Sequence, residues 1–168
     1  MTIQFKADNV FGERLLEWWQ GLENDRASRA ELRRADSILT ITMSGAYRRI
    51  YRSLCYLGWE QEMNTPWYQD RLALAVGILA HIKHHQSNTT LPKAMSHLSN
   101  DKPVVSELRF KRLLESPDLA SLLTGLRRVL PLLGESNGPD ILLLTNDILY
   151  WGDAVKKRWA YTYEWPAQ

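Results

Sequence analysis

Apolar residues in this chain return at intervals of three and four, and no segment alternates strictly between apolar and polar positions. That periodicity predicts helices throughout, with strands absent or minor. Phe11, Leu15, Leu16, Trp18, Trp19 and Leu22 mark the first helix. Ser28, with Glu31 three residues on, has the pattern of a capping box and opens a short helix carrying Leu32, Arg33 and Arg34. After a turn-prone Asp36-Ser37, Ala46, Ile50, Leu54 and Leu57 line one face of another helix, which stops at Gly58. Thr65-Pro66 is a cap followed by a first-turn proline, and opens a long helix through Leu72, Val76, Leu79 and Ile82.

The polar run Gln86-Ser87-Asn88-Thr89-Thr90 breaks this pattern. A short helix is expected over Lys93 to Leu98, then a loop at Asn100–Pro103. The next helix carries Val105, Leu108 and Leu113 and ends near Ser116. Ser116-Pro117-Asp118 restarts the chain into a helix lined by Leu119, Leu122, Leu123, Leu126, Val129 and Leu130. Pro139-Asp140 opens a last long element, expected to run through Ile141, Leu144, Ile148 and Trp151 to Trp159. The fold expected is therefore all-α, a bundle of about eight helices in two closely packed lobes. Residues 1–86 form the N-terminal helical lobe and 91–168 the C-terminal helical lobe. Met1 to Asp8 and Trp165 to Gln168 are expected to fray.

Composition changes this picture little. A chain of 168 residues, 45% of them hydrophobic, can build a core without staples, burying roughly 70% of its unfolded surface. The single cysteine, Cys55, cannot pair within the chain and fits a reducing compartment. The N-terminus lacks the basic-then-apolar pattern of a signal peptide. The longest apolar run, Leu72 to Ile82, falls short of the ~20 residues that span a bilayer. A soluble, cytoplasmic protein with no membrane partner is expected. Trp18, Trp19, Trp59, Trp151 and Trp159 are most simply packing residues.

Charge distribution says more than net charge, which is only +2. Between Arg26 and Arg52 stand seven arginines against two acids, Glu31 and Asp36. Arginine in such excess suits phosphate, because its planar fork matches phosphate oxygens. Three groups stand out. Arg29, Arg33 and Arg34 form the first, with Arg29 and Arg33 one turn apart on a shared face. Arg48, Arg49 and Arg52 form the second, interleaved with Tyr47 and Tyr51. The third joins Arg109, Lys111 and Arg112 to Arg127 and Arg128 on the following helix. The short turn between these two helices makes them antiparallel neighbours, so their basic residues can form one patch. One of each pair is expected to turn toward the core edge.

His81, His84 and His85 are the one cluster with metal-ligand spacing, His81 sharing a helical face with the other two. No carboxylate lies among them, and a helix C-terminus accounts for them as well. No phosphate loop, nucleophile elbow, dinucleotide fingerprint or Cys–His pair is present. No catalysis, metal or cofactor is expected.

Taken in order, these pieces resemble the CasB family, the small subunit of the type I-E CRISPR Cascade surveillance complex. The resemblance is carried by Trp18-Trp19, by Arg-Ala-Glu-Leu-Arg-Arg-Ala at 29–35, by Tyr47-Arg48 and by Gly58-Trp59. In the second half it is carried by Ser106 to Leu114, Leu126-Arg127-Arg128, Asp147 to Trp151, Trp159-Ala160 and Tyr163. It implies an all-α, two-lobed subunit that is not an enzyme. It implies two copies head to tail between the large subunit and the guide-binding backbone subunits. There the protein would brace the R-loop, touching the displaced DNA strand and the duplex of guide RNA and target DNA. Arg33, Arg34, Arg109, Arg127 and Arg128 match the family's basic positions. The full set expected to touch nucleic acid is Arg29, Arg33, Arg34, Arg48, Arg52, Arg109, Lys111, Arg112, Arg127 and Arg128. The rival reading is a helical protein–protein adaptor whose arginines meet acidic protein surfaces.

Overall fold

The computed structural model describes residues 3–167. Eleven α-helices make up about two thirds of it, where the periodicity suggested about eight. They are α1 (Val10–Gly21), α2 (Arg26–Arg34), α3 (Ile38–Met43), α4 (Gly45–Tyr56), α5 (Trp59–Met63) and α6 (Pro66–Leu79) in the first half. The second half holds α7 (Leu91–Met95), α8 (Glu107–Leu114), α9 (Leu119–Val129), α10 (Ile141–Leu149) and α11 (Asp153–Thr162). The only strands among the described residues are a two-residue pair, Leu98–Ser99 against Lys102–Pro103. Asn100 and Asp101 turn between them at positive φ, as a two-residue hairpin loop requires.

α6 is the centre. Its residues from Leu72 onward are apolar on every side, and a helix of that kind must be surrounded. Every residue from Leu72 to Ala80 is buried. α2, α3 and α4 pack on it from the first half of the chain, and α9 and α10 from the second. One core thus runs through the molecule, from Phe5 to Tyr163.

Several local expectations are corrected. α2 is capped by Asp25, whose side chain accepts the Ser28 amide; Ser28 lies inside the helix, and Glu31 accepts the Ala46 amide at the start of α4 (2.9 Å). The last element is two helices broken at Gly152. Asp147 explains the break. It accepts from Trp159 Nε1 (2.7 Å) and from Arg158 Nη1 (2.6 Å). In a continuous helix, twelve residues would hold Asp147 and Trp159 about 18 Å apart. The N-terminus does not fray over residues 3–8: Phe5 is buried against Phe11 and Trp59. Trp165 is likewise held, by Phe110, Tyr163 and the Ala160 carbonyl. Met1, Thr2 and Gln168 lie outside the described residues.

Candidate nucleic-acid interface

Three helices end in paired basic residues: Arg33-Arg34 on α2, Lys111-Arg112 on α8 and Arg127-Arg128 on α9. A cation in the last turn is favoured by the helix dipole, which settles locally where these residues can stand. Burial of one member then separates the pairs. Arg33 is half-buried, and its Nε donates to the Ala80 carbonyl (2.7 Å). Burial, and to a lesser degree the nearby Arg29, pushes its pKa below the usual guanidinium range. Arg127 is half-buried too, and its Nη2 donates to the Arg33 carbonyl (2.9 Å). Arg34 and Arg128 remain exposed. The expectation that one of each pair in the third group turns inward holds for α9, and Arg33 on α2 turns inward as well. On α8, Lys111 and Arg112 are both exposed.

The Arg127–Arg33 bond brings the end of α9 against the end of α2. It therefore places two of the three basic groups next to each other. At one side, Arg26, Arg29, Ala30, Arg33 and Arg34 line a shallow concavity of about 420 Å³. At the other, Arg109 and Arg112 of α8 face Arg128 of α9 across a groove of about 870 Å³. Gly125 lets these two helices close up, since a Cβ there would lie 2.8 Å from Leu113 Cδ1. Ser106 caps α8 and Asp118 caps α9, so both helix starts are fixed locally.

The remaining candidates stand apart. Lys111 reaches over the Trp165 ring (5.6 Å) instead of into the groove. Arg48 and Arg52 are exposed on α4 but line none of these concavities. Tyr47 is buried and stacked on Tyr51, which makes it a core residue and no platform for a base. Arg49 donates to Ser28 Oγ (2.7 Å) and serves the α2–α4 contact. Three ion pairs occur among the described residues, Arg14–Glu17, Lys83–Glu135 and Arg158–Asp147. None uses any of the ten candidate residues, so their charge is uncompensated at ion-pair distance.

The histidines are not arranged as their spacing suggested. α6 ends at Leu79, so the three do not share a helix face. His85 Nδ1 accepts the Ile141 amide at the start of α10 (3.1 Å). His81 lies half-buried beside Arg127 and Arg33. Among the described residues, no three His, Cys, Asp or Glu side chains come together to hold a metal. Nor is any helix among them long and apolar enough to cross a membrane.

Compared with known families, residues 28–163 match the model of the CRISPR-associated protein Cse2. The chain belongs to the Cse2 family. Among solved structures it resembles CasB from Thermus thermophilus, with a TM-score of 0.64 and 25% identity over 90% of this chain and 96% of that one. It also resembles a chain in the crystal structure of E. coli Cascade bound to a PAM-containing dsDNA target, with a TM-score of 0.62 and 20% identity over 89% and 91%. No curated protein matches it by sequence.

The region matched to Cse2 contains all ten candidate basic residues. It leaves out Phe5 and Trp165, which the structure nevertheless packs into the molecule. Arg26 is the basic residue that sequence reasoning left out of its set. It lies one turn before Arg29 and Ala30 on α2, and helical spacing from Arg29 and Arg33 was the signal that could have found it.

Proposed function

We propose that this Cse2-family chain is a non-catalytic, nucleic-acid-binding small subunit of a type I-E Cascade complex in the cytoplasm. In this reading it sits with the large subunit, the guide-binding backbone subunits and a second copy of itself. It stabilises the R-loop by holding phosphates of the displaced strand and of the guide RNA–target DNA duplex. Its two halves, 1–86 and 91–168, each contribute basic residues to that grip. The observation that carries the reading is the adjacent basic groups of α2 and of α8 with α9, whose arginines have no carboxylate at ion-pair distance. Family membership and the likeness to a chain of DNA-bound Cascade support it.

The physics fits a subunit without chemistry of its own. Forming an R-loop exchanges one duplex for another of about equal stability, so modest backbone contacts tip the balance. Such contacts need charge and position, and carry no sequence information.

The test is Cascade rebuilt with Arg34→Ala, Arg109→Ala and Arg128→Ala together, all exposed positions. Target-DNA affinity is measured across a salt series. Affinity should fall similarly for different target sequences. The salt slope should shrink by about 2, at ~0.7 for each lost single-strand phosphate contact. Normal assembly with unchanged affinity and slope would sink the reading. Failure to assemble would instead place these arginines on acidic protein surfaces, as the adaptor reading holds.

A further inference from the structure

The groove between α8 and α9 offers more than charge. Arg109 and Arg112 stand on one wall and Arg128 on the other, and Glu115 is the one carboxylate at its edge. Between them the lining is mixed: Pro117, Ala120 and Leu132 supply apolar surface, with Leu132 exposed at 37%, and Ser121 and Thr124 add hydroxyls along the α9 side. Its volume, about 870 Å³, is that of a pocket that takes a small organic ligand. A surface built only to meet phosphates needs no apolar floor. A net positive rim around such a floor matches a ligand with a flat, weakly polar body and an anionic tether. An unpaired nucleotide is that ligand. Its base can lie on the aliphatic floor and against a guanidinium plane, while its phosphates meet the arginines.

We infer that the α8–α9 groove receives the base of an unpaired nucleotide, with Arg109, Arg112 and Arg128 holding the flanking phosphates. The inference rests on the nucleic-acid reading above and adds a base-accepting site to it. The base is taken without regard to identity, because the polar groups beside the floor are the hydroxyls of Ser121 and Thr124, which rotate to donate or accept and so fit any base edge.

The probes are a short oligothymidine and an abasic strand of the same length, which keeps the phosphates and removes the bases. Binding of each to the purified full chain is measured at low salt. Oligothymidine should bind about tenfold tighter, the scale of one stacked base. Ala120 is exposed, so Ala120→Trp fills the groove without disturbing the core. It should bring oligothymidine down to the abasic affinity and leave the abasic strand and its salt slope unchanged. Equal binding of the two strands by the wild-type chain overturns the inference and leaves the phosphate grip standing. If neither strand binds, the base site is refuted, and the Cascade salt series decides separately whether the nucleic-acid reading falls with it. An acidic helical peptide that binds the wild-type chain but not Ala120→Trp, with oligothymidine unaffected, assigns the groove to a protein partner and also overturns the inference.

Discussion

Arg127 donates through Nη2 to the main-chain carbonyl of Arg33 (2.9 Å), so one basic residue is spent holding another in place. Its Nε is buried without a hydrogen-bond partner, which marks how far the side chain has left solvent. Arg128, next in sequence, is exposed. The pair should therefore separate stability from binding. Arg127→Ala is expected to cost about 1.5–3 kcal/mol in urea unfolding, the range for a hydrogen bond to a charged group. Arg128→Ala should stay within about 0.5 kcal/mol. In Cascade, Arg128→Ala should weaken target binding without changing the melting temperature of the subunit. Equal stability losses for the two variants would show that Arg127 is not the tie.

Asn146 makes a second tie, across almost the whole chain. Its Oδ1 accepts the Phe5 amide (2.7 Å), and its Nδ2 donates to the Phe5 carbonyl (3.0 Å). Tyr150 adds a hydroxyl bond to the Ile3 carbonyl. Asn146→Ala removes both Phe5 bonds at a partly buried site, at a cost of about 2 kcal/mol. For a domain of this size that is a melting-temperature loss of about 4–8 °C. Hydrogen exchange should show the Phe5 amide losing protection first. Unchanged protection there would mean that packing on Phe11 and Trp59 alone holds the segment.

These ties explain what could and could not be read from the sequence. The all-α class, the Thr65-Pro66 start of α6 and the Asp118 start of α9 were legible, because local chemistry fixes them. The cap of α2 was not. Asp25 and Ser28 are both good caps three residues apart, and distant partners decided between them: Arg49 takes Ser28, and Ala46 takes Glu31. The break at Gly152 depends on Asp147 reaching Trp159, a contact that periodicity hides because both halves remain helical. The histidines misled for a related reason. Spacing of three and four means a shared face only while the helix lasts, and α6 stops before His81. At the candidate interface, sequence found the arginine pairs but could not say which member turns inward. Only burial against Ala80 and Arg33 assigns Arg33 and Arg127 to the scaffold, leaving Arg34 and Arg128 free.

Gly138 is the tightest approach in the second half of the chain. A Cβ there would lie 1.8 Å from the His84 carbonyl oxygen, a backbone atom that cannot swing aside. The same stretch is stitched by the Gln86 amide to the Pro139 carbonyl (3.1 Å) and by the Ile141 amide to His85. Gly138→Ala must push residues 84–86 off the start of α10. It is expected to lower stability by more than about 2 kcal/mol, well beyond the usual surface substitution. Gly21→Ala is the control, since a Cβ there meets nothing within 4 Å. Equal melting temperatures for the two variants would show that the 84–86 segment is not held as described.

His81 ties this scaffold to pH. Burial, and then the neighbouring Arg127 and Arg33, push its pKa down to about 4 from an ordinary 6.5. The proton therefore binds the unfolded chain more readily than the folded one. The stability that this neutral ring contributes is complete above pH 6.5. It is lost progressively as pH falls from 6.5 toward 4, where both states become protonated. His85 acts with the same sign, because burial also lowers its pKa. The ring of His81 is only partly buried, so solvent screening keeps the effect well below that of a fully buried charge. Asp25 and Asp118 titrate lower still, since hydrogen bonds from Ser28 and Ser121 hold their pKa values below the usual 3.8. Their losses come below that pH, outside the histidine window. The melting temperature should accordingly fall between pH 6.5 and 4. His81→Gln, which cannot take the proton, should flatten that fall in part, with His85 supplying the remainder. Adding salt should also lessen it, by screening the share due to Arg127 and Arg33. A His81→Gln variant that follows the wild-type curve throughout this window would show that His81 titrates like a free histidine. The α2–α9 junction would then be wetter than its hydrogen bonds imply.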